Sequence, residues 1–262
     1  MTPPDTGAAA DSALFGAPIR RGGWCVRLAE PADMPALLTL RARAFRGGAD
    51  DGDSHDAHSL HLWVGAAAQP PRATLRVRVH ADGAALLSGY AAGLYDLTAL
   101  AALGGVTLEL GRLCTAREAP DTGDADLLRL VWAGVARLAL KSGAARLVGC
   151  TSFHTTDVAG LGGAWAYLAA RAAPPADRRP GPKAPEVHPF PRPGAVDVPG
   201  AADPGAAAAL PALLRAYLAL GGWVSDHAVV DRDLGTCHVF TCVELDRLPP
   251  ARRRAFEGLA AG

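Results

Sequence analysis

Apolar and polar residues alternate over several short stretches in the first half of the chain, and this pattern predicts β-strands. The strands expected from it are WCVRLAE at 24–30, LHLWVGA at 60–66, PRATLRVRVH at 71–80 and VTLELGRLCT at 106–115. Between the first two, the apolar residues of PALLTLRARAF recur at helical spacing, which predicts a helix at 35–45. The polar segment GGADDGDSHDAHS at 47–59 is typical of a loop.

The second half of the chain continues the mixture of helices and strands. The elements expected there are a helix at 126–140, a strand at 145–153, a helix at 207–220 and a strand–turn–strand unit at 221–245. Strands and helices in this order predict an α/β sandwich with a mixed central sheet flanked by helices. We expect one domain at 23–262, preceded by a flexible leader at 1–22 and interrupted by a Pro/Gly-rich irregular excursion at 174–205.

Composition and charge narrow the functional class. Lys plus Arg and Asp plus Glu are both 26, so no net positive field indicates a nucleic-acid partner. The five cysteines show no CxxC spacing, which is typical of reduced thiols in a cytoplasmic protein. The N-terminus has no signal-peptide pattern, and Asp96 with scattered glycines disfavours a membrane span in the apolar stretch at 86–106.

The segment GDSHDAHSLHLWV at 52–64 allows three interpretations. His55, His58 and His61 have the spacing of zinc ligands only if the segment is helical. Its aspartates, Asp53 and Asp56, suit a site for a cationic substrate. The third interpretation is a solvated polar loop that enters a strand.

Four short motifs surround this segment in a fixed order. They are R-x-x-x-F at Arg41 and Phe45, D-x-x-D at Asp53 and Asp56, TLR ending at Arg76, and E-x-x-R at Glu109 and Arg112. In this order they resemble the acyl-homoserine-lactone synthases and related N-acyl amino acid synthases, which have the GNAT acyltransferase fold. The chain resembles still more closely the ornithine–acyl-carrier-protein N-acyltransferases. This resemblance extends over most of 24–256 and includes SGYAAGLYDL, LELGRLC, LVGCTSF and VVDRDLGTCHVFTCVEL.

The resemblance implies a GNAT-like fold and transfer of a long, 3-hydroxylated acyl chain from acyl carrier protein to the α-amine of ornithine, forming lyso-ornithine lipid. An α-amine is protonated at neutral pH, so it cannot attack a thioester until a base removes its proton. Glu109 is the candidate base, acting through a water, with Arg112 as its catalytic companion. The alternative is a structural carboxylate that forms an ion pair with Arg112.

The other motif residues are candidates for substrate binding. Asp53 and Asp56 either recognise a cationic amino acid or fix the loop across the site. Arg76 and Arg112 either bind the substrate carboxylate or anchor these aspartates. By resemblance, Arg41 and Phe45 lie beside the site, with core packing as the alternative for the phenylalanine.

The donor and the partners are inferred from a departure from the GNAT pattern. Enzymes of that fold that use coenzyme A carry a Gly-rich loop whose N–H groups bind the pyrophosphate, whereas residues 117–125 read REAPDTGDA, with Asp121 and Asp124. This favours a carrier-protein thioester, with no metal or redox cofactor. We expect contributions to a docking face for the acidic carrier protein from Arg137, Lys141 and Arg146, and contact of Arg252–Arg254 with anionic lipid at the inner face of the membrane.

Three alternatives remain open. The first is a coenzyme A-dependent GNAT acetyltransferase that acts on a small amine. The second is N-acylation of another amino acid, such as glutamine or lysine. The third is a non-catalytic module that binds lipid or carrier protein.

Overall fold

The computed structural model describes residues 13–116, 124–191, 207 and 209–261. Its strands are β1 Ile19–Arg21, β2 Trp24–Leu28, β3 Leu60–Gly65, β4 Ala73–His80, β5 Tyr95–Asp96, β6 Thr107–Thr115, β7 Arg146–Phe153, β8 Gly181–Pro182, β9 Val187–Pro189, β10 Trp223–Val224, β11 His227–Asp231 and β12 Thr236–Glu244. Its helices are α1 Met34–Phe45, α2 Gly83–Leu86, α3 Tyr90–Leu94, α4 Thr98–Ala101, α5 Asp124–Ser142, α6 Gly162–Arg171, α7 Ala212–Ala219 and α8 Pro250–Ala261.

The chain divides into two compact units, and the single domain expected at 23–262 stays a prediction. The first unit takes its described residues from Met1–Val79, Leu110–Ala144 and Pro249–Gly262, and the second from His80–Glu109 and Ala145–Leu248. The chain passes between the units inside regular structure, for example within β6. A boundary of this kind leaves no Pro/Gly-rich linker for sequence analysis to find.

The first unit contains an antiparallel arrangement of β1, β2, β3 and β4, with β6 next to β4. The helix α5 lies against β2 and β3, and α8 packs against α5. Gly134 allows the close approach of α5, because a Cβ atom there would lie 2.8 Å from a methyl group of Leu62 and 3.1 Å from one of Val26. This small residue therefore fixes the distance between helix and sheet.

Residues 13–22 correct the prediction of a flexible leader at 1–22. Ile19–Arg21 pairs with Trp24–Val26 as a strand, and the side chains of Phe15 and Ile19 are buried. Two apolar anchors and a strand partner hold this part of the leader in the first unit. The remaining leader residues, 1–12, lie outside the described residues.

The second unit is built around β7 and β12, which pair antiparallel over eight residues from Arg146↔Glu244 to Phe153↔Cys237. Strand β11 pairs with β12, β9 pairs with β11, and β10 pairs with a further part of β12. One apolar cluster joins this sheet to the short helices α2, α3 and α4. A second cluster joins it to α6 and α7, with Trp165 stacked on Phe190.

The Pro/Gly-rich segment predicted to be irregular at 174–205 is described up to residue 191. This part contains a 3-10 turn at Ala176–Arg178 and the short strands β8 and β9, while residues 192–205 lie outside the described residues. The apolar stretch at 86–106 contains the last residue of α2 and the whole of α3, β5 and α4. Among the helices that the structure describes, none is long and apolar enough to cross a membrane.

Candidate functional site

The side chain of Arg41 lies in the interior of the first unit with no exposed surface. Its Nε donates to Oδ2 of Asp51 over 2.8 Å, its Nη1 donates to Oδ1 of Asp56 over 2.7 Å, and its Nη2 donates to the Asp51 carbonyl over 2.7 Å. A buried guanidinium is tolerated only when such acceptors replace its water. The helix α1 therefore holds the loop that follows it through one side chain.

Two further arginines, from β4 and β6, reach the same loop. Nη1 of Arg76 donates to Oδ1 of Asp53 over 2.5 Å and to Oδ1 of Asp56 over 2.9 Å. Nε of Arg112 donates to Oδ2 of Asp51 over 3.0 Å, and its Nη2 lies 3.4 Å from Oδ2 of Asp53. We call Arg41, Arg76, Arg112, Asp51, Asp53 and Asp56 the arginine–aspartate network.

The network keeps the carboxylates of Asp53 and Asp56 ionised. Burial alone would raise the pKa of Asp56, but hydrogen bonds from Arg41, from the Asp53 N–H and from Arg76 outweigh it and hold the pKa well below its ordinary value. Burial opposes ionisation of Asp53 as well, and its hydrogen bond and ion pair with Arg76 leave a lowered pKa. Asp53 and Asp56 thus stay ionised among the arginines of the network.

Arg112 adopts a backbone conformation that is uncommon for a side-chain-bearing residue, with φ of 54° inside β6. Such a residue costs about 1–3 kcal/mol and persists where its surroundings fix it. The ion pairs with Asp51 and Asp53 supply that constraint. The guanidinium also lies 5.7 Å from the ring centroid of Phe45, which places Phe45 beside the network.

The structure brings together the sequence-predicted residues Arg41, Phe45, Asp53, Asp56, Arg76 and Arg112 in the first unit. The aspartates were expected either to recognise a cationic amino acid or to fix the loop. The observed hydrogen bonds are those of a loop that arginines fix in place. Arg76 and Arg112 anchor the aspartates, and the roles of all six in substrate binding stay predictions. Sequence analysis missed Asp51, whose side chain is fully buried, because nothing in GGADDGDSHDAHS distinguishes a buried aspartate from an exposed one.

The three histidines of this segment have different surroundings. His58 is exposed, His55 is half-buried, and His61 is buried with its Nε2 3.3 Å from the Asp56 carbonyl oxygen. Within the described ranges, no three His, Cys, Asp or Glu side chains are placed to hold a metal ion. Cys114, near the network, is a buried thiol whose pKa burial raises to about 12, so it is protonated at neutral pH.

Glu109 lies in the second unit and has a different set of partners. Its Oε1 accepts the Ala91 N–H over 2.6 Å, and its Oε2 accepts the Tyr90 N–H over 3.1 Å and lies 2.9 Å from Nε2 of His80. Burial would raise the pKa of this carboxyl, but the hydrogen bonds from His80, Ala91 and Tyr90 leave it below its ordinary value. We call Glu109 and His80 the carboxylate–imidazole pair.

Gly89 leaves room for this pair at the start of α3. A Cβ atom at Gly89 would lie 2.5 Å from Oε2 of Glu109 and 3.0 Å from Nε2 of His80. Sequence analysis identified Glu109 but missed His80 as its partner. The available signal was a histidine ending the strand-like run PRATLRVRVH, but pairing between strands cannot be read from one strand alone.

The predicted docking face for a carrier protein needs correction at Arg146. Arg146 is buried, and it donates to the Gly104 carbonyl and to Oγ1 of Thr107. Arg137 donates to the carbonyl oxygens of Ala17 and Ala260, so it holds chain segments together inside the first unit. Lys141 is exposed. The departure from the GNAT donor loop at 117–125 lies outside the described residues except for the backbone of 124–125.

Comparison with known protein families gives one match. Residues 40–133 match the family described as acetyltransferase (GNAT) domain. This range includes the arginine–aspartate network, His80 and Glu109. The predicted fold class, a GNAT-like acyltransferase fold with a mixed sheet flanked by helices, is confirmed.

A curated relative extends the likeness. The chain is 33% identical over 162 residues to L-ornithine N(alpha)-acyltransferase of Rhodobacter capsulatus, which covers 62% of this chain and 60% of the relative. The chain thus matches about three fifths of the length of that relative. The resemblance to ornithine acyltransferases that the sequence motifs indicate is confirmed at this level.

Among solved structures, the chain is similar to FeeM, an N-acyl amino acid synthase from uncultured soil microbes. The TM-score is 0.49 at 12% identity, and the match covers 88% of this chain and 95% of FeeM. It is also similar to the acyl-homoserine-lactone synthase LasI, with a TM-score of 0.39 at 18% identity over 52% of this chain and 75% of LasI.

Proposed function

We propose that this protein is an N-acyltransferase that moves a long, 3-hydroxylated acyl chain from acyl carrier protein to the α-amine of ornithine, forming lyso-ornithine lipid. The observation that carries the proposal is the buried carboxylate–imidazole pair inside the range that matches a GNAT domain. Similarity to a relative named for acylation of ornithine on its α-amine supports the choice of acceptor.

The reaction needs a base and two positioned substrates. The ammonium of the amino acid loses a proton, the free amine attacks the thioester carbonyl carbon, and the C–N bond forms as the C–S bond breaks. The departing thiolate takes the second nitrogen proton. No electrons are transferred to or from a cofactor, so the reaction requires no redox group, and we propose that it proceeds without a metal.

The carboxylate–imidazole pair has the properties that proton removal demands. An ionised carboxylate that accepts from an imidazole N–H fixes the tautomer and the orientation of that ring. The pair is shielded from water, so its charge acts on a bound amine with little screening. We assign proton removal to this pair and keep Glu109 as a residue essential to the reaction.

The arginine–aspartate network of the first unit offers charged groups for the amino-acid substrate. Its aspartates are already occupied by arginines, so binding of the ornithine side chain at Asp53 or Asp56 would have to displace one of these contacts. Asp53 keeps about a quarter of its side chain exposed, and it is therefore the carboxylate of the network best placed to meet a cationic substrate. Arg76 and Arg112 are the groups that would meet the substrate carboxylate.

Two further expectations concern the donor and the membrane. The acids of the 117–125 segment disfavour a pyrophosphate, which supports acyl carrier protein as donor. The product carries a fatty chain and partitions into lipid. The exposed arginines Arg252, Arg253 and Arg254 of α8 are the groups we assign to contact with an anionic membrane surface.

One rival is favoured by a specific observation. The family that matches residues 40–133 is described as an acetyltransferase domain, which suits a coenzyme A-dependent enzyme acting on a small amine. The donor distinguishes the two functions, because the rival uses acetyl-CoA and produces no lipid-soluble amide.

The test is an acylation assay with separated donors and acceptors. Purified protein is incubated with 3-hydroxyacyl carrier protein, long-chain acyl-CoA or acetyl-CoA, each with ornithine, lysine or glutamine, and products are identified by mass spectrometry. The proposal expects N-acyl-ornithine from the carrier-protein donor and its loss in Glu109→Gln. The matched control is Glu257→Gln, the same exchange at an exposed glutamate of α8.

Each of the other outcomes would assign a different function to the protein. Product from acetyl-CoA alone would identify the acetyltransferase. An acyl-lysine or acyl-glutamine product would keep the reaction and change the acceptor. Absence of any amide, with acyl carrier protein or lipid still bound in a pull-down, would identify a binding module.

A further inference from the structure

Both oxygens of Glu109 are occupied in a way that makes this carboxylate a poor direct base. Oε1 receives the Ala91 N–H, and Oε2 receives the Tyr90 N–H and Nε2–H of His80. Protonation of the carboxylate would weaken all three hydrogen bonds, two of which hold the start of α3. A carboxylate whose protonation weakens three hydrogen bonds is better suited to orient a neighbouring group than to accept a proton itself.

His80 is that neighbour, and one of its nitrogens has no hydrogen-bond partner among the residues that the structure describes. Its side chain is buried, and Nδ1 is enclosed without a hydrogen-bond partner in the structure. Because an ionised carboxylate only accepts, Nε2 is the nitrogen that donates to Glu109, and in the neutral ring Nδ1 then carries the lone pair. A buried nitrogen without a hydrogen-bond partner destabilises the folded state, so its presence needs an explanation.

We infer that Nδ1 of His80 is the atom that accepts the proton from the substrate amine, while Glu109 is a positioning residue that fixes the tautomer and orientation of the ring. This inference rests on the proposed N-acyltransferase function and assigns the proton within it. The partner of Nδ1 is the incoming ammonium, directly or through one water. Nδ1 therefore has no partner among the described residues before the substrate binds, and the substrate ammonium becomes its partner.

The proton balance is complete without a further reagent. The ammonium transfers one proton to Nδ1 and forms an imidazolium, which the Glu109 carboxylate stabilises. The free amine attacks the thioester, the thiolate leaves, and it takes the second nitrogen proton from the tetrahedral intermediate. The imidazolium then releases its proton to solvent, so each turnover yields one amide, one thiol and one proton.

The test separates His80 from Glu109 by a substitution that keeps one nitrogen and removes the other. In His80→Gln the side-chain amide can still donate to Glu109 in place of Nε2, but it offers no basic nitrogen in place of Nδ1. We expect kcat to fall by about 100-fold or more, with KM for ornithine little changed and the acidic limb of the pH–rate profile altered. His154→Gln, at an exposed histidine, is the control.

A second variant distinguishes loss of the base from loss of activity through a change in structure. His80→Ala leaves a space at the ring, and added imidazole is expected to restore part of its rate. A structural role would give no such rescue. The ¹⁵N chemical shifts of His80 in the unliganded wild-type protein are expected to show a protonated Nε2 and an unprotonated Nδ1.

The outcomes are distinguishable from a failure of the proposed function. Wild-type protein that makes no N-acyl amino acid with any donor would overturn the function itself. An active wild type whose His80→Gln variant keeps its rate and pH profile would overturn only the assignment to His80 and return the base role to Glu109. A ring protonated on Nδ1 instead of Nε2 would also overturn the assignment, because that atom would then have no lone pair to offer.

Discussion

Nε of Arg41 donates to Oδ2 of Asp51 over 2.8 Å, and the side chains of the two residues are 1% and 0% exposed. The nine residues between them form the end of a helix and a glycine-containing turn. Asp51 also accepts from Arg112 on the same oxygen and from Arg46 on the other. One buried carboxylate therefore holds helix α1, strand β6 and the loop between α1 and β3.

Replacement of Asp51 by alanine is expected to be strongly destabilising. It would leave two buried guanidinium groups, those of Arg41 and Arg112, without their shared acceptor. Removal of one partner from a buried ion pair typically costs about 3–5 kcal/mol. Urea unfolding followed by circular dichroism would measure the loss of free energy.

The neighbouring residue provides the control for Asp51. Asp50 is exposed, and its carboxylate accepts only the Gly52 N–H among the contacts that the structure describes. Asp50→Ala should cost less than about 1 kcal/mol. Equal losses for the two variants would contradict the role of Asp51 as the shared acceptor.

The lowered pKa of Asp56 predicts how stability changes in acid. A carboxyl whose pKa is depressed by folding stabilises the protein above its unfolded pKa of about 3.9, and this contribution is lost as the pH falls below that value. Asp56→Asn should lower the free energy of unfolding at neutral pH and flatten its fall in acid. Urea unfolding between about pH 5 and about pH 2.5 would measure both effects, and an unchanged slope in the variant would contradict the prediction.

Much of the fold could be predicted from periodicity. The helix expected at 35–45 is Met34–Phe45, and the strands expected at 60–66 and 106–115 are Leu60–Gly65 and Thr107–Thr115. The helix buries Leu37 and Leu40 on one face and β3 is buried at every residue except Leu60, so their apolar residues mark both elements in the sequence. The prediction of a flexible leader is wrong for 13–22 because Phe15 and Ile19 are isolated apolar residues in a polar segment. In addition, a strand of three residues is too short to show an alternating pattern.

The site could be predicted only in part for a different reason. Motif resemblance identified Arg41, Arg76 and Arg112, which share the aspartates of one loop in the structure. Asp51 and His80 carry no motif of their own, and their importance comes from partners that are distant in sequence. Arg146 looked like a surface cation, yet it is buried against backbone carbonyls. Such contacts depend on tertiary packing, which a single sequence does not display.

Gly89 is predicted to be required for activity. The Cβ atom of Gly89→Ala would meet Oε2 of Glu109 at 2.5 Å, closer than any normal contact, and the Leu86 carbonyl oxygen at 3.0 Å. The carboxylate–imidazole pair must shift to avoid it, and a shift of about 1 Å can cost about 100-fold in rate. The measurement is kcat in the acylation assay.

Gly93→Ala is the matched control on the same helix. Gly93 is exposed, and a Cβ atom there would have no neighbour within 4 Å. This variant should retain its activity and gain slightly in helix propensity. If both variants lost activity equally, the cause would be the helix and not the pair.

The lowered pKa of His238 predicts a second dependence of stability on pH. Tyr95 OH donates to the His238 carbonyl over 2.9 Å and lies 3.1 Å from its Nδ1, and burial lowers the pKa of His238 to about 4. Between about pH 4 and about pH 6.5 the unfolded chain binds a proton that the folded chain does not, so stability falls as pH falls through this window. His238→Gln should reduce that slope by up to one proton. The same exchange at the exposed His154 controls for removal of an imidazole, and a slope that stays at the wild-type value in His238→Gln would contradict the prediction.

The exposed arginines of α8 predict electrostatic binding to membranes. Arg252, Arg253 and Arg254 are exposed on one helix, and each arginine near an anionic surface contributes about 1 kcal/mol. Replacement of all three by glutamine should therefore weaken binding to vesicles that contain anionic phospholipid by about 100-fold. Co-sedimentation with such vesicles would measure the change, and salt should weaken the wild-type binding in the same direction because it screens exposed charges. Vesicles of neutral phosphatidylcholine are the control, since arginine charge gives them no attraction. Equal binding of the wild type and the variant to anionic vesicles would contradict the assignment of these arginines to a membrane surface.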